Sequence, residues 1–167
     1  MFQTFTRGRA AARTLAAFLF SLGAALAGVP LSASPAGAHS IEHGDLQIIH
    51  PWARPVARAG GNGAGFLAIA NEGGAPDRLL AVESDVAARV ELHTTAHDGA
   101  VARMRALPEG VAVPPDDVAT LMPGGDHVMF MGLKTPLAEG DMFGAVLVFE
   151  KAGRVPVRFM VESAGMH

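Results

Sequence analysis

Apolar and polar residues alternate in short runs through most of the chain after residue 44. These runs are separated by turn signals made of glycine, proline, asparagine and aspartate. The pattern predicts nine strands, at residues 46–50, 65–70, 78–83, 89–94, 101–107, 117–122, 127–132, 143–150 and 154–162. No amphipathic helix is predicted after residue 38. Short strands at regular spacing favour a single all-β domain, either a sandwich or a barrel.

The first 38 residues follow a different pattern, which is typical of an export signal. Three arginines precede an apolar stretch at residues 15–29, no acidic residue occurs before Glu42, and Ala36-Gly37-Ala38 provides small residues for cleavage. This order predicts a secretory signal peptide at 1–38 and a mature domain at 39–167. An uncleaved membrane anchor is the alternative, but the apolar stretch is short and interrupted by glycine. We therefore expect a periplasmic protein with no membrane span after cleavage.

The amino-acid composition excludes several classes of function. The 167 residues include no cysteine, eight methionines and seven histidines. Without cysteine there is no disulfide framework, iron–sulfur cluster, nucleophilic thiol, blue-copper site or cysteine-linked lipid anchor. Lysine and arginine number 13 against 16 acidic residues, so nucleic-acid binding is not expected. The Gly-rich segment 61–65 leads into a predicted strand rather than a helix, which argues against a dinucleotide loop. We also expect no enzymatic activity.

The remaining chemistry lies in histidine and methionine. In His127-Val128-Met129-Phe130-Met131, alternate side chains share a strand face, so the histidine and both methionines lie on one side. An imidazole with a thioether suits Cu(I), whereas Zn²⁺, Mg²⁺ and Ca²⁺ disfavour thioethers. The alternative is that Met129 and Met131 simply fill the core.

A second histidine and methionine pair occurs earlier in the chain. His93 lies on the polar side of its predicted strand, and Asp98-Gly99 predicts a hairpin turn. The hairpin would return Met104 near His93, on the apolar side of the next strand. Ordinary core packing is the alternative role for Met104.

Together these segments resemble the periplasmic PCu(A)C copper chaperones. The signature of that family is a histidine, a methionine further along and then a His-x-Met, matched here by His93, Met104 and His127-Val128-Met129. The resemblance covers about residues 44–162. Further matching segments are His50-Pro51-Trp52-Ala53-Arg54, Asp77-Arg78-Leu79, Glu91-Leu92-His93, Pro123-Gly124-Gly125-Asp126-His127 and Met131-Gly132-Leu133.

The resemblance implies a cupredoxin-like Greek-key β-barrel or sandwich that holds Cu(I) through His93, Met104, His127 and Met129. It implies capture of copper in the periplasm and delivery toward the Cu(A) site of cytochrome c oxidase. The partner would be the Cu(A) subunit or a thiol-bearing copper assembly factor, and the chaperone would be a monomer.

This chain departs from the family pattern around the hairpin. Thr94 and Thr95 stand where the family often has a methionine after the first histidine, and His97 and Ala102 stand where further methionines are common. The interval between the Met104 and His127 positions is one residue longer than usual. These departures reduce the supply of auxiliary thioethers but leave the four implied ligands in place.

Other histidines and methionines are candidate auxiliary ligands. Met131 and His97 could assist the Cu(I) site. His39, His43 and His167, near the mature termini, could form a second site for Cu(II), which favours nitrogen and oxygen ligands. The alternative is that the termini are frayed and their histidines incidental.

Three other functions remain open at this stage. One is copper sequestration or homeostasis rather than delivery, with Cu(II) bound at the termini. The second is an enzyme with a histidine brace at His39, and the third is a metal-free adhesion sandwich. Outside the site, we expect His50 to be a hydrogen-bonded packing residue and Arg54 to pack over the ring of Trp52.

Overall fold

A computed structural model describes residues 40–98 and 101–163, which form β-strands joined by turns and loops. This confirms the all-β prediction. The predicted signal peptide at 1–38 lies outside the described residues. Within them, no helix is long and apolar enough to cross a membrane. The eleven strands of the described part are β1 (Ser40–His43), β2 (Leu46–Ala53), β3 (Gly63–Asn71), β4 (Asp77–Glu83), β5 (Ala87–Asp98), β6 (Val101–Ala106), β7 (Val111–Val113), β8 (Asp117–Leu121), β9 (His127–Leu133), β10 (Met142–Phe149) and β11 (Arg154–Val161).

The strands pair in the order β6-β5-β9-β3-β2-β11-β10-β4-β7, with β1 added to β2 and β8 added to β3. Strands β2 and β11 are parallel, and the other pairs are antiparallel. The sheet curls so that β7 lies beside β8 and β3, while β4 lies beside β5. Curling lets one face of every long strand turn inward, and this encloses a single apolar core.

The core is filled by alternate residues of the long strands, as period-two patterning requires. Phe130 and Phe159 meet edge to face at 5.6 Å between ring centroids, and Phe143 stacks on Phe159 at 5.5 Å. Such aromatic pairs stabilise a core beyond the area that they bury. The other large side chains that are fully buried are Ile48, Ile69, Leu79, Leu121, Leu133, Leu147, Val113, Val128, Val155 and Val161.

All nine predicted strands are present, and the structure adds two more. Strand β1 is polar and largely exposed, so it carries no apolar alternation. Strand β7 has only three residues between Gly110 and Pro114, which is too short for a periodic signal. Strand β5 also continues to Asp98, beyond its predicted end at Thr94. Its last five residues, 94–98, pair with β6 but not with β9, so this hairpin projects past the neighbouring strand.

Close packing at Gly65 gives a prediction about stability. A Cβ atom added there would lie 2.7 Å from Phe130 Cε2 and 2.9 Å from Phe159 Cε1, both of which are buried ring atoms. Real Cβ atoms do not approach so closely, and the rings have little room to move. We expect Gly65→Ala to lower the free energy of unfolding by about 1–3 kcal/mol, measured by urea denaturation.

Gly144 provides the matched control because it also lies within a strand, β10. A Cβ atom added at Gly144 would meet no other atom within 4 Å. Gly144→Ala should therefore leave the urea midpoint nearly unchanged. Equal midpoints for both variants would contradict the tight packing at Gly65.

Candidate metal centre

Two imidazoles face each other where β5 and β9 begin to pair. His93 lies directly opposite His127 in the antiparallel register. Directly paired residues of antiparallel strands project from the same face of the sheet. The ring centroids are 5.9 Å apart and the ring planes meet at 57°. His127 is buried, with 3% of its surface exposed, and His93 is half-buried.

Hydrogen bonds leave one nitrogen free on each ring. His127 Nδ1 donates to the carbonyl oxygen of Gly125 at 3.0 Å, and His93 Nε2 donates to the Glu91 carboxylate at 2.9 Å. Among the residues that the structure describes, the opposite nitrogens, His127 Nε2 and His93 Nδ1, are buried and have no hydrogen-bond partner. Buried polar atoms without partners are uncommon and need an explanation. A metal ion explains both, because a ligating imidazole usually donates its other ring N–H to a carbonyl or carboxylate.

The two proposed thioether ligands lie on the same face as the histidine pair. Their cross-strand partners on β5 are two residues before and two residues after His93. Met129 of β9 pairs with Glu91, and Met104 of β6 pairs with Thr95. Alternate residues of a strand share a face, so Glu91, His93 and Thr95 project from one face of β5. Their cross-strand partners, which include the two methionines, project from the same face of the sheet. Three strands therefore place two imidazoles and two thioethers together on one side of the sheet.

The expectation that Met104 lies on the apolar side of its strand is wrong. Every residue of β6 is exposed, and Met104 is 60% exposed. The reason is that Met104 belongs to the projecting part of the hairpin. Strand β9 pairs with β5 only as far as His93, so it does not lie beside this part. Core packing is therefore excluded for Met104, and the residue is accessible to solvent. Met129 is half-buried and accessible to a lesser degree.

A polar chain borders the histidine pair on β5. Arg89 Nε lies 3.3 Å from Glu91 Oε1, and Arg89 Nη2 donates to the sulfur of Met131 at 3.4 Å. The hydrogen bond from His93 and the charge of Arg89 hold the pKa of the Glu91 carboxyl below its usual value. Arg89 and Glu91 were not among the residues predicted for the site. Glu91 is two residues and Arg89 four residues before His93, and this even spacing, which puts all three on one strand face, is the signal that could have identified them.

Aromatic rings form the buried side of the centre. Phe66 lies 6.5 Å from the His127 ring and 4.6 Å from the Trp52 ring. The prediction that Arg54 packs over Trp52 is wrong, since its guanidinium lies 5.7 Å from the Phe66 centroid. The cause is the register: Phe66 is the cross-strand partner of Trp52 and packs against its ring.

His50 has the structural role expected for it. Its Nε2 atom lies 3.1 Å from Glu162 Oε2. The residue occupies the left-handed region, with φ at 47°, where the register of β2 against β3 shifts between Ile49 and Trp52. Non-glycine residues rarely adopt this conformation, and the contact with Glu162 holds His50 in it.

Of the remaining auxiliary candidates, His43 is the one whose side chain the structure describes, and its contact is away from the histidine pair. His43 Nε2 contacts the carbonyl oxygen of Ala152 at 3.1 Å. His39, His167 and the side chain of His97 lie outside the described residues. Among residues 40–98 and 101–163, no three His, Asp or Glu side chains are grouped to hold a metal.

Sequence comparisons identify the family of this chain and two of its relatives. The LpqE-like family model matches residues 46–161. A relative in Leifsonia xyli subsp. xyli, named "Putative lipoprotein Lxx21020", is 29% identical over 90% of this chain and 88% of its own length. A Rickettsia prowazekii protein, RP573, is 26% identical over 63% of this chain and 60% of its own length.

Solved structures show the same fold. The apo PCuAC domain from PmoF1 is 31% identical, with a TM-score of 0.63 over 75% of this chain and 100% of that domain. The copper-bound PCuAC domain from PmoF2 is 29% identical, with a TM-score of 0.62 over 75% of this chain and 99% of that domain. The Cu(I) form of DR1885 from Deinococcus radiodurans is 27% identical, with a TM-score of 0.55 over 80% of this chain and 87% of that protein. The chain belongs to the LpqE-like family and has the cupredoxin-like fold of the PCuAC domains.

Proposed function

We propose that this protein binds one Cu(I) ion through His93, Met104, His127 and Met129. The observation that carries the proposal is the pair of buried imidazole nitrogens, His93 Nδ1 and His127 Nε2, that have no partner within the described part of the chain. Thioethers flank them on the same strand face, and the combination of imidazole with thioether favours Cu(I). The copper-bound PmoF2 domain and the Cu(I) form of DR1885, whose folds this chain shares, support the choice of metal.

The same ligand set suits a carrier that delivers its ion. All four groups are neutral, and none is a thiolate, so the ion is held without the strong bond that would resist exchange. Met104 is 60% exposed on the projecting hairpin, where an incoming ligand from a recipient can replace it. The recipient that we propose is the Cu(A) subunit of cytochrome c oxidase or a thiol-bearing assembly factor that serves it.

We place this activity in the periplasm or a comparable envelope compartment. The support is the export-signal pattern of residues 1–38 together with the Leifsonia relative, whose name describes a lipoprotein. Mass spectrometry of the protein purified after export should give an N-terminus at His39. An intact N-terminus would contradict the proposed cleavage.

A titration under anaerobic conditions tests the binding proposal. The exported protein competes with a chromophoric Cu(I) chelator, and the chelator absorbance reports the copper removed. We expect one Cu(I) per chain to be withdrawn, because residues 40–98 and 101–163 contain one pair of buried imidazole nitrogens without partners. Failure to withdraw copper from a weak chelator would contradict the proposal.

Delivery is tested separately by mixing the Cu(I)-loaded protein with an apo Cu(A) domain. Copper should move to the recipient, detected by metal analysis after the two proteins are separated. Full retention by the loaded protein would instead support sequestration, which is the alternative function.

A further inference from the structure

The two imidazoles of the centre are held by different kinds of acceptor. His127 donates to a backbone carbonyl, that of Gly125, which also accepts a hydrogen bond from the amide of Thr95 at 3.2 Å. His93 donates to a side chain, the carboxylate of Glu91. A backbone acceptor is present whatever the side chains are, whereas the acceptor for His93 depends on one residue.

We infer that Glu91 is a positioning residue, which fixes the tautomer of His93 so that Nδ1 is the nitrogen presented to Cu(I). The inference rests on the proposed function. The centre is then asymmetric, because His93 presents Nδ1 while His127 presents Nε2. The support is that both of these ring nitrogens are buried and have no hydrogen-bond partner among the described residues.

The reverse tautomer of His93 is unfavourable for two reasons. A lone pair on Nε2 would point at the carboxylate oxygens of Glu91, which can only accept hydrogen bonds when ionised. The proton on Nδ1 would then be a buried donor with no acceptor, which costs the desolvation of that group. With Glu91 in place, both penalties favour the proton on Nε2.

Arg89 holds Glu91 in the orientation that this requires. Its Nε atom lies 3.3 Å from Glu91 Oε1, while the other carboxylate oxygen, Oε2, accepts from His93. The carboxylate therefore has one oxygen for each partner. The side chain of Glu91 is only one-third exposed, so the contact with His93 is partly shielded from water.

Nitrogen NMR of the metal-free protein tests the tautomer. Histidine is labelled with ¹⁵N, and long-range proton–nitrogen spectra are recorded at alkaline pH. In the wild-type protein His93 should carry its proton on Nε2. In Glu91→Leu the acceptor is lost, and the His93 signals should shift toward a mixture of tautomers. Glu91→Gln keeps an amide oxygen and should restore most of the wild-type pattern.

Glu83 provides the matched control. It is also a strand carboxylate paired with an arginine, Arg154, at 2.7 Å, but it has no contact with either histidine of the centre. Glu83→Leu should leave the His93 and His127 signals unchanged. His127 should also be unchanged in Glu91→Leu, because its acceptor is a backbone carbonyl.

Copper affinity gives the second readout. Loss of an outer-shell partner typically costs about 10–100-fold in metal affinity, so Glu91→Leu should weaken Cu(I) binding by that factor in the chelator competition. Glu91→Gln should recover most of the affinity. An unchanged His93 tautomer in Glu91→Leu overturns the inference, and so does a changed tautomer with unchanged affinity.

Failure of the proposed function would give a different experimental result from failure of the inference about Glu91. Absence of Cu(I) binding by the wild-type protein would end the copper proposal, while the tautomer comparison is made without metal and still decides what Glu91 does. A thermal melt of each variant shows whether it is folded. If Glu91→Leu were unfolded, Glu91→Ala would be used in the same two measurements, since it also removes the acceptor.

Discussion

Replacing His127 by alanine should weaken Cu(I) binding by more than the 10–100-fold that is typical for loss of an outer-shell partner. His127 Nε2 is one of the two free imidazole nitrogens, and its ring is already oriented by the bond to Gly125. Its removal leaves a single imidazole with the two thioethers. His93→Ala should have an effect of similar size for the same reason. The measurement is the anaerobic competition with a chromophoric chelator.

Two controls separate loss of a ligand from a general effect of substitution. His43→Ala removes an imidazole whose Nε2 contacts the Ala152 carbonyl, and Met142→Ala removes a thioether that is 40% exposed on β10. Both variants should bind Cu(I) as the wild-type protein does. Because His127 is buried, its variant must also be shown to be folded by circular dichroism. A folded His127→Ala protein with wild-type affinity would contradict the ligand assignment.

The strands that could be predicted are those marked by alternating apolar and polar residues within their own sequence. The alternation in β9 correctly separated His127 and Met129 from Val128 and Phe130. The structure adds that the face of Val128 and Phe130 is the one turned to the core, where both residues are fully buried. Strands β1 and β7 lack a local signal, one because it is polar and the other because it is short. The projecting end of β5 was missed because its residues are ordered by pairing with β6, which is a property of the hairpin.

The candidate site depends on a long-range contact, the pairing of His93 with His127, that local sequence patterns do not predict. The turn at Asp98-Gly99 indicated that β6 returns beside β5, and the structure pairs the two strands there. By contrast, the pairing of His93 with His127 joins two strands far apart in the chain, and their register is set by the packed sheet. The resemblance to a known family named the four residues, but the free nitrogen on each ring becomes visible only with the hydrogen bonds to Glu91 and Gly125.

Strand β9 also gives the largest expected effect on stability. Phe130 is fully buried, lies edge to face with Phe159 at 5.6 Å and with Phe143 at 5.2 Å, and points away from the metal centre. Phe130→Ala removes these contacts and leaves a cavity among rings that cannot collapse to fill it. We expect the free energy of unfolding to fall by about 3–5 kcal/mol, a large part of the about 5–15 kcal/mol typical of a domain.

Urea unfolding, followed by circular dichroism and by the emission of Trp52, the single tryptophan, measures this loss. Met129→Ala is the matched comparison, because Met129 is the preceding residue of the same strand but is half-buried on the opposite face. It should lose Cu(I) affinity with a much smaller loss of stability, whereas Phe130→Ala should lose stability. The proposed roles of the two faces of β9 require a large loss of stability only for the residue that faces the core. Equal losses of stability in the two variants would therefore contradict the assignment of one face to copper binding and the other to core packing.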